Sequence, residues 1–239
     1  MTISGSRVLI VGGTSGIGLA VAGAVAERGA TPIVASRRRT SVDTALAALP
    51  AGAEGATVDL ADDASIATLL QQHGPFDHLA YTAGEALEMV PLANLTSDTA
   101  RSFFETRLLG AIAVVRAAAP LLPALGSVTL TSGTAAVRPG AGWALAASVC
   151  GAMNALTRAL AIELAPLRVN AVAPGVVRSP LWSSMSDQDR NAMYDSVADA
   201  VPLGRVAEVE DVALAYVYAM EQLHGTGVVI TVDGGTVLA

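Results

Sequence analysis

Arg7-Val8-Leu9-Ile10-Val11-Gly12-Gly13-Thr14-Ser15-Gly16-Ile17-Gly18 decides how the rest of the chain is read. A continuous aliphatic run passes directly into a glycine-rich turn, after which Ile17, Val21 and Val25 recur at helical spacing until Gly29. A buried strand, a glycine turn and a helix in that order open a βαβ unit. The glycines allow a tight turn and let backbone N–H groups approach an anion, at a helix N-terminus carrying roughly half a positive charge. Their spacing, G-x-x-x-G-x-G, differs from the general dinucleotide pattern G-x-G-x-x-G.

Working outward, short β-branched runs alternate with helical patterns along the chain. Strands are expected at Arg7 to Val11, Pro32 to Ala35, Ala56 to Asp59, His78 to Thr82, Ser127 to Ser132, Arg168 to Ala173 and Val228 to Val232. Most are unbroken apolar runs, as strands covered on both faces must be. One helix carries Leu145, Val149, Met153, Leu156, Leu160 and Leu164, a stripe expected to face the sheet. Another carries Phe104, Leu108, Ile112 and Val115 after a cap at Thr96 or Ser97. The expected architecture is a single-domain α/β fold over residues 1–239, a Rossmann-type doubly wound parallel sheet of seven strands with helices on both faces. Ligand would lie outside the carboxyl ends of the strands, where strand order reverses.

Composition narrows the function classes. The chain is 52% hydrophobic with mean hydropathy +0.53, yet it contains no uninterrupted run of about 18 apolar residues. Ala111 to Leu125 is broken by Arg116, Pro120 and Pro123, and reads as a buried helix. The first residues lack a basic leader or a cleavage site, so a cytoplasmic location and no membrane partner are expected. A net charge of -7 opposes general attraction to nucleic acid. Cys150 is the sole cysteine, and His73, His78 and His224 show no metal-ligand spacing. No metal is expected; the partner is a small molecule. All 14 basic residues are arginines, and the chain has no lysine.

The second strand decides which dinucleotide. An acid at its end would accept hydrogen bonds from a ribose 2′-hydroxyl. Here it ends Ala35-Ser36-Arg37-Arg38-Arg39, so a 2′-phosphate would meet charge-assisted donors instead. NADP(H) is therefore expected in preference to NAD(H), with Ser36, Arg37 and Arg38 at the phosphate and Arg37 the leading candidate.

Taken together, these motifs resemble the short-chain dehydrogenase/reductase family. Its loop reads Thr-Gly-x-x-x-Gly-Ile-Gly, with Val11 standing where the threonine would be. Tyr81-Thr82-Ala83-Gly84 sits where the family has Asn-Asn-Ala-Gly. Arg168-Val169-Asn170 through Pro174-Gly175 to Ser179 matches the family's R-V-N-x-x-x-P-G-x-x-x-[TS]. Pro202-Leu203-Gly204-Arg205 and Val232-Asp233-Gly234-Gly235 match its C-terminal segments, where turns, caps and ion pairs explain the residues sufficiently. The resemblance implies that Gly12, Thr14, Ser15, Gly16, Ile17 and Gly18 hold the cofactor, with Asp59 and Leu60 near the adenine. It further implies that Ala83, Gly84, Pro174, Gly175, Val177 and Ser179 lie toward the nicotinamide half. The alternative for Asp59 is a helix cap. The family also pairs the helices at Phe103 to Leu122 and Leu145 to Leu164, so a homo-oligomer is implied.

The resemblance fails at the reaction centre. Registered on Asn154-Ala155-Leu156-Thr157-Arg158, the family's catalytic tyrosine and lysine fall on Ala146 and Cys150. No shift restores them, because the chain has no lysine and no tyrosine between Tyr81 and Tyr194. The family asparagine falls on Arg107, and Ser132, or else Thr134, stands for the family serine. Losing a positioned general acid costs about 10² to 10⁴ in rate. Arg107 either stabilises an oxyanion or is a paired arginine beside an apolar stripe. Cys150 either donates a proton or is a small buried hydrophobe. Tyr194 is a candidate to swing inward, Tyr81 reads as packing, and Trp143 and Trp182 suit a pocket wall or a subunit contact.

Three functions compete on this sequence. The first is an NADP(H)-dependent oxidoreductase acting on a small carbonyl or alcohol through a rearranged site. The second is an NADP(H)-binding regulatory or non-catalytic subunit without turnover. The third, a hydrolase or lyase using Ser132, lacks both a neighbouring histidine and a Gly-x-Ser-x-Gly elbow.

Overall fold

The computed structural model describes residues 2–87 and 89–239. Its strands are β1 (Arg7–Val11), β2 (Thr31–Ser36), β3 (Glu54–Thr57), β4 (His78–Tyr81), β5 (Ser127–Thr131), β6 (Arg168–Pro174), β7 (Val177–Arg178), β8 (Ala207–Glu208) and β9 (Val229–Val232). Seven of them form one parallel sheet in the order β3-β2-β1-β4-β5-β6-β9. The chain leaves β1 in both directions, so strand order reverses between β1 and β4.

Alternation along β1 shows why the sheet needs cover on both sides. Leu9 and Val11 join one core with α3 (Asp63–His73), α5 (Gly110–Ala118) and α6 (Ala144–Glu163). Val8 and Ile10 join the opposite core with α1 (Gly16–Ala26), α2 (Arg39–Ala48) and α8 (Val209–Glu221). All four are fully buried, and each such side chain contributes roughly 1.5–3 kcal/mol. The remaining helices are α4 (Ser97–Phe104) and α7 (Asp187–Ala200). Tyr194 of α7 packs with Trp182 and Val206 in a third, smaller cluster.

Five details depart from the sequence reading. β3 runs two residues earlier than expected, because Glu54 pairs in register with Ile33 and the chain turns away at Asp59, whose amide donates to Ser65 Oγ. β7 and β8 form a separate two-stranded sheet too short to leave a periodic signal. On α6 the buried stripe is Val149, Met153, Thr157 and Ala161. Leu156, Leu160 and Leu164 flank that stripe, and Thr157 is tolerated inside it because its hydroxyl donates to the Met153 carbonyl at 2.7 Å. A π turn at Glu105–Leu109 separates α4 from α5 and inserts an extra residue. It rotates Ile112 outward, to 41% exposure, and brings Ala111 and Val114 into the core beside Val115, which is buried as expected. Thr96 caps α4, accepting from the Thr99 amide. Finally, α6 is long and apolar enough to cross a membrane by length and composition, although Ser148, Asn154, Thr157 and Arg158 interrupt its apolar run.

His78 sits at the opposite edge of the sheet from the turn after β1, with Nδ1 2.9 Å from Ser127 Oγ. Burial lowers its pKa to about 4, Arg168 adding to the effect and Asp77 opposing it. The unfolded chain takes up that proton near pH 6.5. The stability this group contributes is therefore complete above about pH 6.5 and is lost as the pH falls toward the folded value of about 4. We expect a loss of about 3 kcal/mol across that window. Urea unfolding between pH 7 and pH 4 should show it, and His78→Asn should flatten the slope.

Candidate functional site

Where strand order reverses, the carboxyl ends of the strands open into a cleft of about 1090 Å³. The turn after β1 forms its floor, and steric limits fix that turn. Gly12 has φ +87°, and a Cβ there would lie 2.6 Å from the Ala83 amide nitrogen; one at Gly18 would lie 2.2 Å from the Gly12 carbonyl oxygen and 2.5 Å from Thr82 Oγ1. Gly16, at φ +51°, faces Ser179 and Pro180 across the cleft. α1 therefore begins hard against the end of β4.

Capping distinguishes the helices that open here. α3, α4 and α7 begin with side-chain caps from Asp62, Thr96 and Ser186, and α8 has a capping box. α1, α2 and α6 have none, and no acidic residue occupies their first turns. Among the described residues, the amides of Ile17 and Gly18 donate to no group of the chain. Free N–H donors at a helix start, with the dipole behind them, fit an anionic diphosphate. At the next loop Arg37 and Arg38 line the same cleft, and neither forms an ion pair among the described residues, whereas Arg39 pairs with Asp43 at 2.9 Å.

Every residue singled out from the sequence as a cofactor contact lines this one cleft, from Gly12 through Ser36 and Asp59 to Ser179. Asp59 is partly engaged already, since its Oδ1 accepts from the Ala61 amide at 3.1 Å. The C-terminal motifs behave as supports. Arg205 grips Asp211 through two bonds of 2.6 and 2.8 Å, and Asp233 accepts from the Gly235 and Val237 amides.

Ser132, Arg107, Cys150 and Ala146 meet at the other end of the cleft. Ser132 Oγ lies 2.6 Å from Asn154 Oδ1 and 3.1 Å from the Cys150 carbonyl oxygen, so α6 orients the hydroxyl. Arg107 projects from the π turn. Its guanidinium donates to the Glu85 carbonyl at 2.5 Å, reaches Glu85 Oε2 at 3.3 Å and lies 4.2 Å from the centre of the Phe103 ring. It is thus both a paired arginine and a cleft-lining cation. Burial lowers its pKa, against the pull of Glu85 and Cys150. Burial pushes the Cys150 thiol up to about 11 despite nearby Arg107 and Ser132.

The tyrosines turn away from this chemistry. Tyr81 is buried with its hydroxyl donating to the Thr106 carbonyl at 2.5 Å, and burial raises its pKa. Tyr194 does not line the cleft; it is buried under the Arg178 guanidinium, 4.4 Å from the ring centre. Both tryptophans do line it, Trp182 with its Nε1–H donating to the Val177 carbonyl. Among the described residues, no histidine bonds to Ser132. His78 pairs with Ser127, five residues earlier on β5, a separation of about 16 Å along the strand. His73 bonds to Glu54, and His224 is exposed beyond α8. Sequence reasoning passed over Asn154 as an orienting group, and over Leu87, Met89, Arg138 and Met193 as cleft residues, because they lie in loops or on helix faces without a periodic signal.

Comparison with known proteins gives a consistent picture. A family model described as Enoyl-(Acyl carrier protein) reductase matches residues 11–237. The short-chain dehydrogenase/reductase ATR9 of Stachybotrys chlorohalonatus is 37% identical, over 99% of this chain and 99% of the relative. The short-chain dehydrogenase/reductase malC of Malbranchea aurantiaca is 35% identical over 99% of this chain and 96% of the relative. The structure described as MalC Reductase/Diels-Alderase from the same organism superposes with TM-score 0.92 at 33% identity, covering 99% of this chain and 98% of that one. A small-chain dehydrogenase crystallised in complex with NADPH gives TM-score 0.86 at 32% identity, covering 98% and 99%.

The state of Cys150 can be read directly, because it is the only cysteine. With the thiol held at about 11, alkylation at pH 7.5 should run roughly 10²-fold slower than for an unperturbed cysteine. Intact-mass kinetics with iodoacetamide, native against urea-unfolded, measure this. Equal rates would contradict it.

Proposed function

Because the chain belongs to the short-chain dehydrogenase/reductase family, we propose that it is an NADP(H)-dependent oxidoreductase acting on a small carbonyl or alcohol through a rearranged reaction centre. The observation that carries this is the continuity of one cleft from the glycine turn and Arg37 to Ser132. The free amides of Ile17 and Gly18 would hold the diphosphate, while Arg37 and Arg38 would hold a 2′-phosphate as charge-assisted donors. Ser36, Asp59 and Leu60 would border the adenosine. Ala83, Gly84, Pro174, Gly175, Val177 and Ser179 would border the nicotinamide, which when bound supplies or accepts the hydride.

In this reading Ala146 and Cys150 stand where the family places tyrosine and lysine. Ser132 would turn its proton from Asn154 to the substrate oxygen. Arg107, held by Glu85 and Phe103, would stabilise developing negative charge on that oxygen without giving up a proton. Cys150 would stay a neutral thiol. The proton would then reach the oxygen from water in the cleft, and turnover would be slower than with a positioned phenol. The second reading, an NADP(H)-binding subunit without turnover, draws support from the geometry at this end: the Tyr81 hydroxyl is spent on the Thr106 carbonyl, and burial weakens the acidity of the Cys150 thiol.

We also propose a homo-oligomer built on the outer faces of α5 and α6, where Ile112 is 41% and Ile162 82% exposed; light scattering should show a species larger than a monomer.

Titration calorimetry should detect NADPH binding, and Arg37→Ala should weaken NADPH about tenfold or more while leaving NADH within twofold. No binding of either nucleotide would end both readings. Nicotinamide absorbance followed over a carbonyl and alcohol panel then separates them: substrate-dependent change supports the oxidoreductase, and tight binding with none supports the regulator.

A further inference from the structure

Arginine pairing leaves one cation in the cleft without an assigned task. Eight of the 14 arginines hold a carboxylate, namely Arg7, Arg39, Arg101, Arg107, Arg116, Arg178, Arg190 and Arg205. Among the described residues, the other six hold none. Arg28 and Arg168 donate to backbone carbonyls at helix ends, and Arg158 lies exposed on the outer side of α6. The last three, Arg37, Arg38 and Arg138, all line the cleft. In a chain of net charge -7, three of these six arginines thus line one cavity. The proposed 2′-phosphate accounts for the end at Arg37 and Arg38. Nothing in the cofactor reading accounts for Arg138.

The position of Arg138 favours a role toward a second molecule. It follows Ser132 by one 3-10 turn, Thr134–Ala136, and its own amide closes that turn on the Thr134 carbonyl at 2.8 Å. One guanidinium nitrogen donates to the Thr236 carbonyl at 2.9 Å, which fixes the side chain at the cleft mouth and leaves its other donors open. The same cleft is lined by the large, polarisable side chains of Met89, Trp143, Trp182 and Met193 and by the small residues Gly140 and Ala146. Such a wall takes a planar apolar body. A cation at its rim selects an acidic group on that body.

We propose that the substrate is an aromatic or polycyclic carbonyl compound bearing a carboxylate, and that Arg138 is the specificity-determining residue that binds this carboxylate while the carbonyl lies at Ser132. This rests on the cofactor reading above, and it names the class of molecule at the other end of the same cleft. The wall contributes most of the affinity through apolar burial. Arg138 contributes the preference for the charged form over a neutral isostere, because only the charged form makes the charge-assisted bond.

The test is calorimetry on the intact protein with three probes: NADPH, 2-naphthoate and neutral 2-naphthamide. The expected result is that naphthoate binds roughly tenfold tighter than naphthamide, the fold-change of one charge-assisted hydrogen bond. Arg138→Gln should abolish that preference while leaving naphthamide and NADPH within twofold of the parent, with circular dichroism confirming the fold. Equal affinity of the parent for acid and amide would overturn the proposal with the cofactor reading intact. A loss of NADPH binding in Arg138→Gln would also overturn it, since the arginine would then serve the cofactor. If the parent bound no NADPH, the cofactor reading and this proposal would fall together.

Discussion

Everything at the cleft depends on how closely the turn after β1 approaches the end of β4. Gly12 and Gly18 leave no room for a Cβ against Ala83, Thr82 and each other. Backbone contact at that range fixes where α1 starts and which way its first amides point. Once that is set, the sheet order brings the ends of β2, β4, β5 and β6 to the same edge. Residues as distant in sequence as Arg37, Ser132 and Ser179 then share one cavity. The two inner glycines are thus required by packing, whatever binds above them. The third, Gly16, faces the open side.

Much of this was legible in the chain, and the reasons are local. β1 after Arg7 and β4 after His78 are unbroken apolar runs, as parallel pairing with cover on both faces favours, whereas β5 and β6 bury Ser127, Thr129, Arg168 and Asn170 among their apolar residues. The glycine turn and the arginines after β2 could be placed because each sits at a fixed point of a βαβ unit. Where reading failed, tertiary structure overrode a periodic signal. The π turn shifted the face of α5, and Thr157 entered the buried stripe of α6 by satisfying its hydroxyl internally. Arg138 carried no pattern at all, because its significance lies in the pairing of the other arginines.

The reaction end is built on a different electrostatic principle from the cofactor end. At the loop after β2, Arg37 and Arg38 are exposed and, among the described residues, form no ion pair. Around Ser132 three ionisable groups are held, Arg107 by Glu85, Cys150 by burial and Tyr81 by the Thr106 carbonyl, while Arg138 one turn further on spends only one donor, on the Thr236 carbonyl. The held groups orient and polarise well and exchange protons poorly.

The bare starts of α1, α2 and α6 have a thermodynamic side. Helix starts without side-chain caps are segments that open readily, and three of them border one cavity. An anion seated there would complete the hydrogen bonding of the backbone itself. Occupancy and conformational integrity are then linked quantities, so the melting temperature should climb with nucleotide concentration by mass action. Slowed amide exchange would concentrate in the first turn of α1.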